Sequence, residues 1–287
     1  KRNSKTMLAA IFSLGGIGLV AAVALGLAAK KFAVKVDPRE LAILEVLPGA
    51  NCGACGYPGC AGFAKALVAG KVDPNECPPG GAEVAAKVAN ILSVEVVFKE
   101  PEIAVVMCQG DDTTAKNRYR YLGLTDCIAA QKLAGGPKVC PSGCLGLGTC
   151  VRACPFDAIE ITEQGLAVIN REMCTGCRKC VAVCPREVIH MVPLKTSVHV
   201  LCNSHDKGAV VRKYCQVGCI GCHICLKTVP EAYRVENFLA RVNYEEAMEA
   251  KLAVEKCPTH CIRDFADGYP AGSRFAPAVV PVKSDAA

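Results

Sequence analysis

The chain has 287 residues, 21 of which are cysteines, and its formal net charge is +6. This length allows two or three small domains. Disulfide-rich folds are usually short and secreted, so the cysteine content points instead to metal sites or iron–sulfur clusters held by reduced thiols. The cationic residues are scattered, with no basic run interleaved with aromatic residues. This distribution argues against a nucleic-acid partner.

An apolar segment near the N-terminus predicts a transmembrane helix. Residues 7–29 carry no charge and are flanked by basic residues on both sides. About 20 apolar residues are enough to cross a bilayer. A cleaved signal peptide is the alternative, but its apolar core would be shorter. We expect a retained single-pass anchor (1–30) in the cell inner (plasma) membrane. The clusters inferred below would then lie on its cytoplasmic side.

The first cysteine module (31–95) has the spacing C-x2-C-x4-C-x16-C. Its cysteines are Cys52, Cys55, Cys60 and Cys77. Glycines between them allow the backbone to wrap closely and to turn its amides toward sulfur. A zinc site with four thiolates is the alternative, although zinc ribbons usually have two separated C-x2-C pairs. We predict a first 4Fe–4S cluster here, with helices over residues 40–47 and 61–69.

A second signature, C-x2-C-x2-C-x3-C-P, predicts a ferredoxin-like unit (96–194). In two-cluster ferredoxins the fourth cysteine of each such run serves the other cluster. The run therefore predicts a second cluster, and its last cysteine, Cys184, should return to the run before it. A β-hairpin is expected over residues 158–169. The second ligand set is Cys154, Cys174, Cys177 and Cys180.

The run before it is irregular, because Leu147 occupies the second ligand position and leucine cannot ligate iron. Another sulfur must complete this third cluster, and Cys140 and Cys127 are the candidates. The predicted third set is Cys140, Cys144, Cys150 and Cys184, with Cys127 as the alternative to Cys140.

An internal repeat (195–266) follows. A shift of 75 residues places Cys140 on Cys215, and a shift of 73 places Cys184 on Cys257. The repeat keeps one complete set, predicted to hold a fifth cluster. At the positions where a second cluster of this unit would have its ligands, the residues are apolar. Three of them are alanines, which favour a helix packed at that position. The retained set is Cys219, Cys222, Cys225 and Cys257, and the replaced set is Val229, Ala247, Ala250 and Ala253.

Six cysteines remain to be placed, of which four would form a fourth cluster between the repeats. The predicted fourth set is Cys108, Cys127, Cys202 and Cys215, with Cys140 as the alternative to Cys127. Symmetry favours Cys140 here, whereas local spacing favours it in the third set. Cys261 is left over and is predicted to be a buried free thiol. Twenty cysteines bind iron in this scheme, which gives about five 4Fe–4S clusters. If some of the middle cysteines are only core residues, the number is four.

The order of anchor, four-cysteine module and ferredoxin modules resembles the B subunit of the Rnf complex, in its longer polyferredoxin form. That complex is an ion-translocating ferredoxin:NAD⁺ oxidoreductase. The resemblance implies a subunit that takes electrons from reduced soluble ferredoxin. It would relay them through 4Fe–4S clusters to other membrane and flavin-bearing subunits, while the assembly transports Na⁺ or H⁺. No residue is then catalytic in the acid–base sense.

The expected fold class is α+β: a transmembrane helix, a small iron–sulfur domain and tandem ferredoxin-like modules, followed by a loose tail (267–287). Two other functions fit the cysteine pattern. One is an electron-transfer subunit of a membrane-bound hydrogenase or formate dehydrogenase, and the other is a zinc-rich scaffold.

Overall fold

The computed structural model describes residues 2–31, 37–269 and 273–275. Helices and short strands alternate in this part of the chain, which confirms the α+β fold class. The α-helices are α1 (Arg2–Lys31), α2 (Pro38–Val46), α3 (Gly59–Val68), α4 (Gly81–Leu92), α5 (Cys127–Lys132), α6 (Thr149–Ala153), α7 (Lys179–Ala182), α8 (Gly208–Tyr214) and α9 (Ile224–Thr228). The strands are β1 (Glu102–Val106), β2 (Ile159–Ile161), β3 (Ala167–Ile169), β4 (Ile189–Pro193), β5 (Val198–Val200), β6 (Tyr233–Glu236), β7 (Leu239–Val242) and β8 (Ile262–Asp264). Short 3₁₀-helices cover Pro74–Glu76, Pro78–Gly80, Ala247–Ala253 and Phe265–Asp267.

Helix α1 is the apolar helix expected at the N-terminus. Its 30 residues extend about 45 Å at 1.5 Å per residue, more than the hydrocarbon thickness of a bilayer. The apolar window Leu14–Lys31 buries no residue against the rest of the described structure. Its leucines and valines are therefore free to contact lipid. By length and composition α1 can cross a membrane.

The small domain after the anchor packs α2, α3 and α4 around a core that includes Ile43, Phe63 and Val88. Helix α2 begins where Asp37 accepts a hydrogen bond from the backbone N–H of Arg39 at 2.8 Å. Pro38 follows Asp37 at the first helical position, which suits its fixed φ. Helices α2 and α3 cover all but the last residue of the stretches predicted at 40–47 and 61–69, so both helices are confirmed.

Two antiparallel strand pairs build the first ferredoxin-like unit. Strand β1 pairs with β4, and β2 pairs with β3. The second pair is the hairpin predicted over residues 158–169, which is thereby confirmed. The side chains of Val106, Ile159 and Ile189 form part of the core beneath these strands. The short helices α6 and α7 carry cysteines onto that core.

The second unit repeats this plan, with β5 paired to β8 and β6 paired to β7. Its segment Ala247–Ala253 is a 3₁₀-helix rather than the α-helix that alanine content favours. The hydroxyl of Tyr233 donates to the carbonyl of Ala250 at 2.7 Å. Val229 and Ala253 share this apolar core with Tyr233. The positions of the four absent cysteines are thus filled by packed apolar side chains.

The buried imidazole of His199 joins the two units. It is fully buried, 3.3 Å from the Arg171 guanidinium and 3.1 Å from the Tyr244 hydroxyl. Burial, reinforced by the charge of Arg171, lowers the pKa of His199 to about 4. The ring is therefore neutral in the folded protein at neutral pH.

This histidine should make stability fall as the solution is acidified. Between its unfolded pKa near 6.5 and its folded pKa near 4, the unfolded chain binds a proton that the folded chain does not. We expect a loss of about 2 kcal/mol in the free energy of unfolding between about pH 7 and about pH 5. Anaerobic urea unfolding at both pH values measures it. In His199→Gln the same acidification should cost less, and an equal loss in both proteins would contradict the assignment.

Part of the C-terminal segment lies against the first ferredoxin-like unit. Arg274 forms an ion pair with Glu160 at 3.3 Å and donates to the carbonyl of Asp157 at 2.8 Å. Residues 273–275 are therefore docked on their own chain. Most of the tail predicted to be loose (270–272 and 276–287) lies outside the described residues, as does most of the linker between α1 and α2 (32–36).

Candidate iron–sulfur centres

The four cysteines of the small domain converge at the start of α3 and at the turn before α4. Burial raises the pKa of the Cys77 thiol, and the charges of Cys55, Cys52 and Cys60 raise it further. The loop is closed by Asn51, whose side-chain oxygen accepts from the N–H of Cys60 at 2.8 Å. Gly59 has a φ of +83°, and a Cβ there would lie 2.8 Å from that same oxygen. Only glycine fits this close approach.

The second cysteine set lines a cavity of about 300 Å³ beneath β1. Cys154, Cys174, Cys177 and Cys180 all face this cavity. The backbone N–H of Ala104 donates to the Cys174 sulfur at 3.4 Å. Burial raises the pKa of Cys180 to about 12, and the three other thiols add to the rise. Four thiols that raise one another's pKa are a site for a positively charged metal centre.

The third set shows how the chain makes up for Leu147. A cavity of about 360 Å³ is lined by Cys127, Cys144, Cys150 and Cys184. Helix α5 begins with Cys127, whose N–H donates to the Thr149 hydroxyl at 2.7 Å. The carboxylate of Asp126 caps α5 and accepts from the same hydroxyl at 2.9 Å. The segment before the cysteine run thus brings a sulfur to the site from a distance in sequence.

The fourth set lies between the two ferredoxin-like units. Cys108, Cys140, Cys202 and Cys215 line a cavity of about 380 Å³. Glycines form part of its wall. A Cβ on Gly143 would lie 3.4 Å from the Cys140 sulfur and 3.8 Å from the Cys108 sulfur. Of the two arrangements that the sequence left open, the geometry favours Cys140 in the fourth set and Cys127 in the third.

The fifth set lines a cavity of about 340 Å³ that contains five cysteines. Four are the retained repeat positions Cys219, Cys222, Cys225 and Cys257, and the fifth is Cys261. The sulfurs of Cys257 and Cys261 are 3.6 Å apart. Hydrogen bonding from Cys261 lowers the pKa of Cys219 and that of Cys257 below the ordinary value of a thiol. Cys261 is therefore a buried thiol that donates to two neighbouring thiolates.

All four cavities fit an anionic iron–sulfur cluster. Each wall combines at least four cysteines with apolar residues and one basic residue, without a carboxylate, and glycine lines the fourth and fifth. Thiolates are the ligands of 4Fe–4S clusters, and amide hydrogen bonds and nearby charge tune them. Within the described residues, no group of three or more His, Cys, Asp or Glu side chains is placed to hold a single metal ion.

The five sets adjoin one another in a line. Neighbouring sets are linked by pairs of cysteines: two pairs share a hydrogen bond, and in the other two the charge of one thiolate raises the pKa of the other thiol. From the first set to the fifth, these pairs are Cys52 with Cys177, Cys180 with Cys150, Cys144 with Cys108, and Cys202 with Cys219. The order therefore runs from the small domain after the anchor, through the first unit, to the far end of the second.

Three models of iron–sulfur families match the chain. Residues 47–79 match a putative Fe-S cluster family, 138–191 a 4Fe-4S dicluster domain, and 216–264 a 4Fe-4S single cluster domain of Ferredoxin I. The single-cluster description agrees with one retained cysteine set in the second unit. Cys108, Cys127, Cys202 and Cys215 lie outside all three matches.

Several curated proteins are similar to most of the chain. The B subunit of the Na⁺-translocating ferredoxin:NAD⁺ oxidoreductase complex of Acetobacterium woodii is 43% identical over 250 residues, covering 87% of this chain and 75% of that protein. The B subunit of an ion-translocating oxidoreductase complex from Methanosarcina acetivorans is 42% identical over 260 residues (90% and 98%). The chain belongs to the B-subunit family of ion-translocating oxidoreductase (Rnf) complexes.

A third relative in this family, from Clostridium ljungdahlii, is named as the B subunit of a proton-translocating ferredoxin:NAD⁺ oxidoreductase complex. It is 42% identical over 270 residues, covering 93% of this chain and 94% of that protein. The Na⁺ and H⁺ relatives are thus about equally similar to the chain.

Sequence reasoning missed two features of this family member's sites. One is the position of Cys261 inside the fifth cavity, for which the signal was a fifth cysteine four residues after Cys257. The other is Lys138, which lines the fourth cavity although it is a charged residue. Its position two residues before Cys140 gave no indication that it would be buried.

Proposed function

We propose that the chain relays electrons through five 4Fe–4S clusters within an ion-translocating ferredoxin:NAD⁺ oxidoreductase complex. One observation carries this proposal: five four-cysteine sets adjoin in a single line through the structure. Each cluster, when bound, would supply one-electron exchange at low potential. The protein's own part is to hold the sulfurs, to set the spacing between sites, and to surround them with amides and apolar side chains that limit water.

The proposed ligands follow the cavities. In order along the line, the sets are Cys52, Cys55, Cys60, Cys77; Cys154, Cys174, Cys177, Cys180; Cys127, Cys144, Cys150, Cys184; Cys108, Cys140, Cys202, Cys215; and Cys219, Cys222, Cys225, Cys257. The proposed domains are an anchor (1–30), a four-cysteine domain (31–95), two ferredoxin-like units (96–194 and 195–266) and a C-terminal tail (267–287).

The proposed partners are soluble ferredoxin as the donor, and the membrane and flavin-bearing subunits of the complex. The names of two relatives support ferredoxin as the donor, since both are subunits of ferredoxin:NAD⁺ oxidoreductase complexes. Low-potential clusters are compatible with a reducing compartment, so we place the cluster-bearing part on the cytoplasmic side of the inner membrane.

The fifth site is the proposed place where electrons enter. Cys222 is the one exposed cysteine among the 21, all of which lie in the described part of the chain. Beside it, the turn that carries Phe238 lies against Gly221, where a Cβ would be 2.8 Å from the Phe238 carbonyl oxygen. The Phe238 ring is 48% exposed, and the ammonium of Lys207 is 5.9 Å from its centroid. An apolar contact with cations beside it suits an acidic redox protein.

Reversing the charge at this face should slow reduction by ferredoxin. Lys227 is an exposed lysine of α9, the helix that follows Cys222. We expect Lys207→Glu combined with Lys227→Glu to lower the second-order rate constant about tenfold at low ionic strength, because steering of an acidic donor is lost. The effect should shrink as salt is added. Stopped-flow bleaching of the cluster absorbance by reduced ferredoxin measures it.

The matched control is Lys87→Glu, a reversal at an exposed lysine of α4 in the small domain. It should leave the rate constant near the wild-type value. Equal slowing by Lys87→Glu would indicate a general effect of net charge, and no slowing by the double variant would place the docking face elsewhere.

The cluster content tests the proposal as a whole. Anaerobically purified full-length protein should contain about twenty iron atoms and about twenty acid-labile sulfides per chain. Addition of reduced ferredoxin should then reduce its clusters. A colourless protein with bound zinc and without iron would overturn the proposal, and twelve or fewer iron atoms would reject a relay of five or of four clusters.

A further inference from the structure

A lysine is buried at the fourth site, the one that links the two ferredoxin-like units. Lys138 is only 1% exposed, and its ammonium donates to the carbonyl of Gly110 at 2.5 Å. Asp112 lies 3.9 Å away, but its side chain is 54% exposed to solvent. A buried ammonium is costly unless it is closely paired. This charge is only loosely compensated, so its field extends into the site.

The geometry places that charge beside the sulfurs. Lys138 lines the cavity of the fourth set. Gly110, which accepts the hydrogen bond from Lys138, lies beside two of the ligand sulfurs. A Cβ on Gly110 would lie 3.4 Å from the Cys215 sulfur and 3.7 Å from the Cys108 sulfur. An ammonium beside thiolate sulfurs favours their negative charge through its Coulomb attraction, most strongly where water is excluded. The lysine therefore stabilises negative charge at this site.

Two arginines reinforce the effect from outside the cavity. The guanidinium of Arg186 donates to the carbonyl of Cys140 and to that of Gly143 at 3.1 Å. The guanidinium of Arg241 donates to the carbonyl of Cys202 at 3.4 Å. Two ligand residues of the fourth set are thus each held by a cation through their backbone.

The other three cavities differ from the fourth in their basic residues: the third has one buried cation, Arg186, and the second and fifth have none that is buried. No lysine lines them. Arg186 also borders the third cavity. Arg178, at the second, has a side chain that is 66% exposed and paired with Glu102 at 2.6 Å. The fifth cavity has His223 as its basic residue.

We propose that Lys138 makes the fourth cluster the most easily reduced of those in the four cavities, so that an electron rests there between the two units. This inference builds on the proposed relay. A cluster gains negative charge when it is reduced, and a nearby fixed positive charge in a medium of low dielectric favours that gain. Electrons from either end of the line would collect at its fourth site.

Redox titration of the full-length protein, monitored by electron paramagnetic resonance, tests this proposal. The first cluster signal to appear on reduction should be the signal that Cys202→Ala lacks. In Lys138→Gln the equilibrium constant for reduction of this cluster should fall at least tenfold, which corresponds to about 59 mV for a one-electron couple. In Lys138→Arg, which keeps the charge, it should stay closer to wild type. Lys132→Gln, at an exposed lysine of the same segment, should change nothing.

Asp112→Asn supplies a test of opposite sign. Loss of this carboxylate leaves Lys138 less compensated, so the same midpoint should rise. If Lys138→Gln loses iron, the test rests on Asp112→Asn. An unchanged or lowered midpoint of the fourth cluster in Asp112→Asn overturns the proposal. Equal shifts at all clusters, or no shift in iron-replete Lys138→Gln, also overturn it. These outcomes leave the cluster content of the wild-type protein and its reduction by ferredoxin unchanged. A failure of the proposal about Lys138 is therefore distinguishable from a failure of the proposed relay.

Discussion

Replacing Cys127 with alanine is expected to remove one of five clusters and to lower the iron content from about twenty to about sixteen atoms per chain. Cys127 opens α5 and faces the same cavity as Cys144, Cys150 and Cys184. Without it that site has three sulfurs, because Leu147 offers none. The third site stands between the second and the fourth, so its loss should also interrupt electron transfer along the line.

Double variants distinguish the two possible assignments of this cysteine. If Cys127 belongs to the third site, Cys127→Ala with Cys184→Ala should still retain about sixteen iron atoms, whereas Cys127→Ala with Cys202→Ala should retain about twelve. If it belongs to the fourth site, the two values exchange. Iron analysis with the electron paramagnetic resonance spectrum of each reduced protein measures both.

Two single variants serve as controls for this experiment. Leu147→Ala changes a residue beside the third site that has no sulfur, and Cys261→Ala removes a thiol that only donates to its neighbours. Both proteins should keep about twenty iron atoms. A loss of iron in Cys261→Ala would mean that the fifth site depends on five sulfurs rather than four.

Replacing Tyr233 with alanine is expected to destabilise the second unit by about 3–5 kcal/mol. The ring is fully buried where the second unit lacks a cluster, and its hydroxyl bonds the carbonyl of Ala250 at 2.7 Å. Truncation would leave a cavity as well as an unpaired carbonyl. The urea midpoint of anaerobic unfolding should fall by at least about 1 M for a slope of 1–3 kcal/mol per M.

Tyr233→Phe is the matched variant, because it keeps the ring and removes only the hydroxyl. It should cost about 1–3 kcal/mol, because the buried carbonyl of Ala250 loses its hydrogen-bond donor. Both variants should retain the fifth cluster's iron in the folded protein. A midpoint unchanged in Tyr233→Ala would show that this core does not stabilise the unit.

The local elements of this chain were predictable because their signals are local. The uncharged stretch at 7–29 predicted α1, and the C-P steps with a hairpin between them predicted β2 and β3. The internal repeat indicated which ligand set the second unit had lost. The helix at Ala247–Ala253 was predicted at the right position, but as an α-helix. It is a 3₁₀-helix, because the packing around a short segment shapes it more than helix propensity does.

The amino-acid sequence by itself determined the kind of centre, through cysteine spacing, and the family, through the order of anchor and modules. Tertiary structure decided what spacing cannot encode. It placed Cys127 with the third set and Cys140 with the fourth, aligned the five sets, and buried Lys138 against the fourth. Ligands close in sequence must meet around one centre, whereas a sulfur or a charge supplied from a distant loop is brought there only by packing of the whole chain.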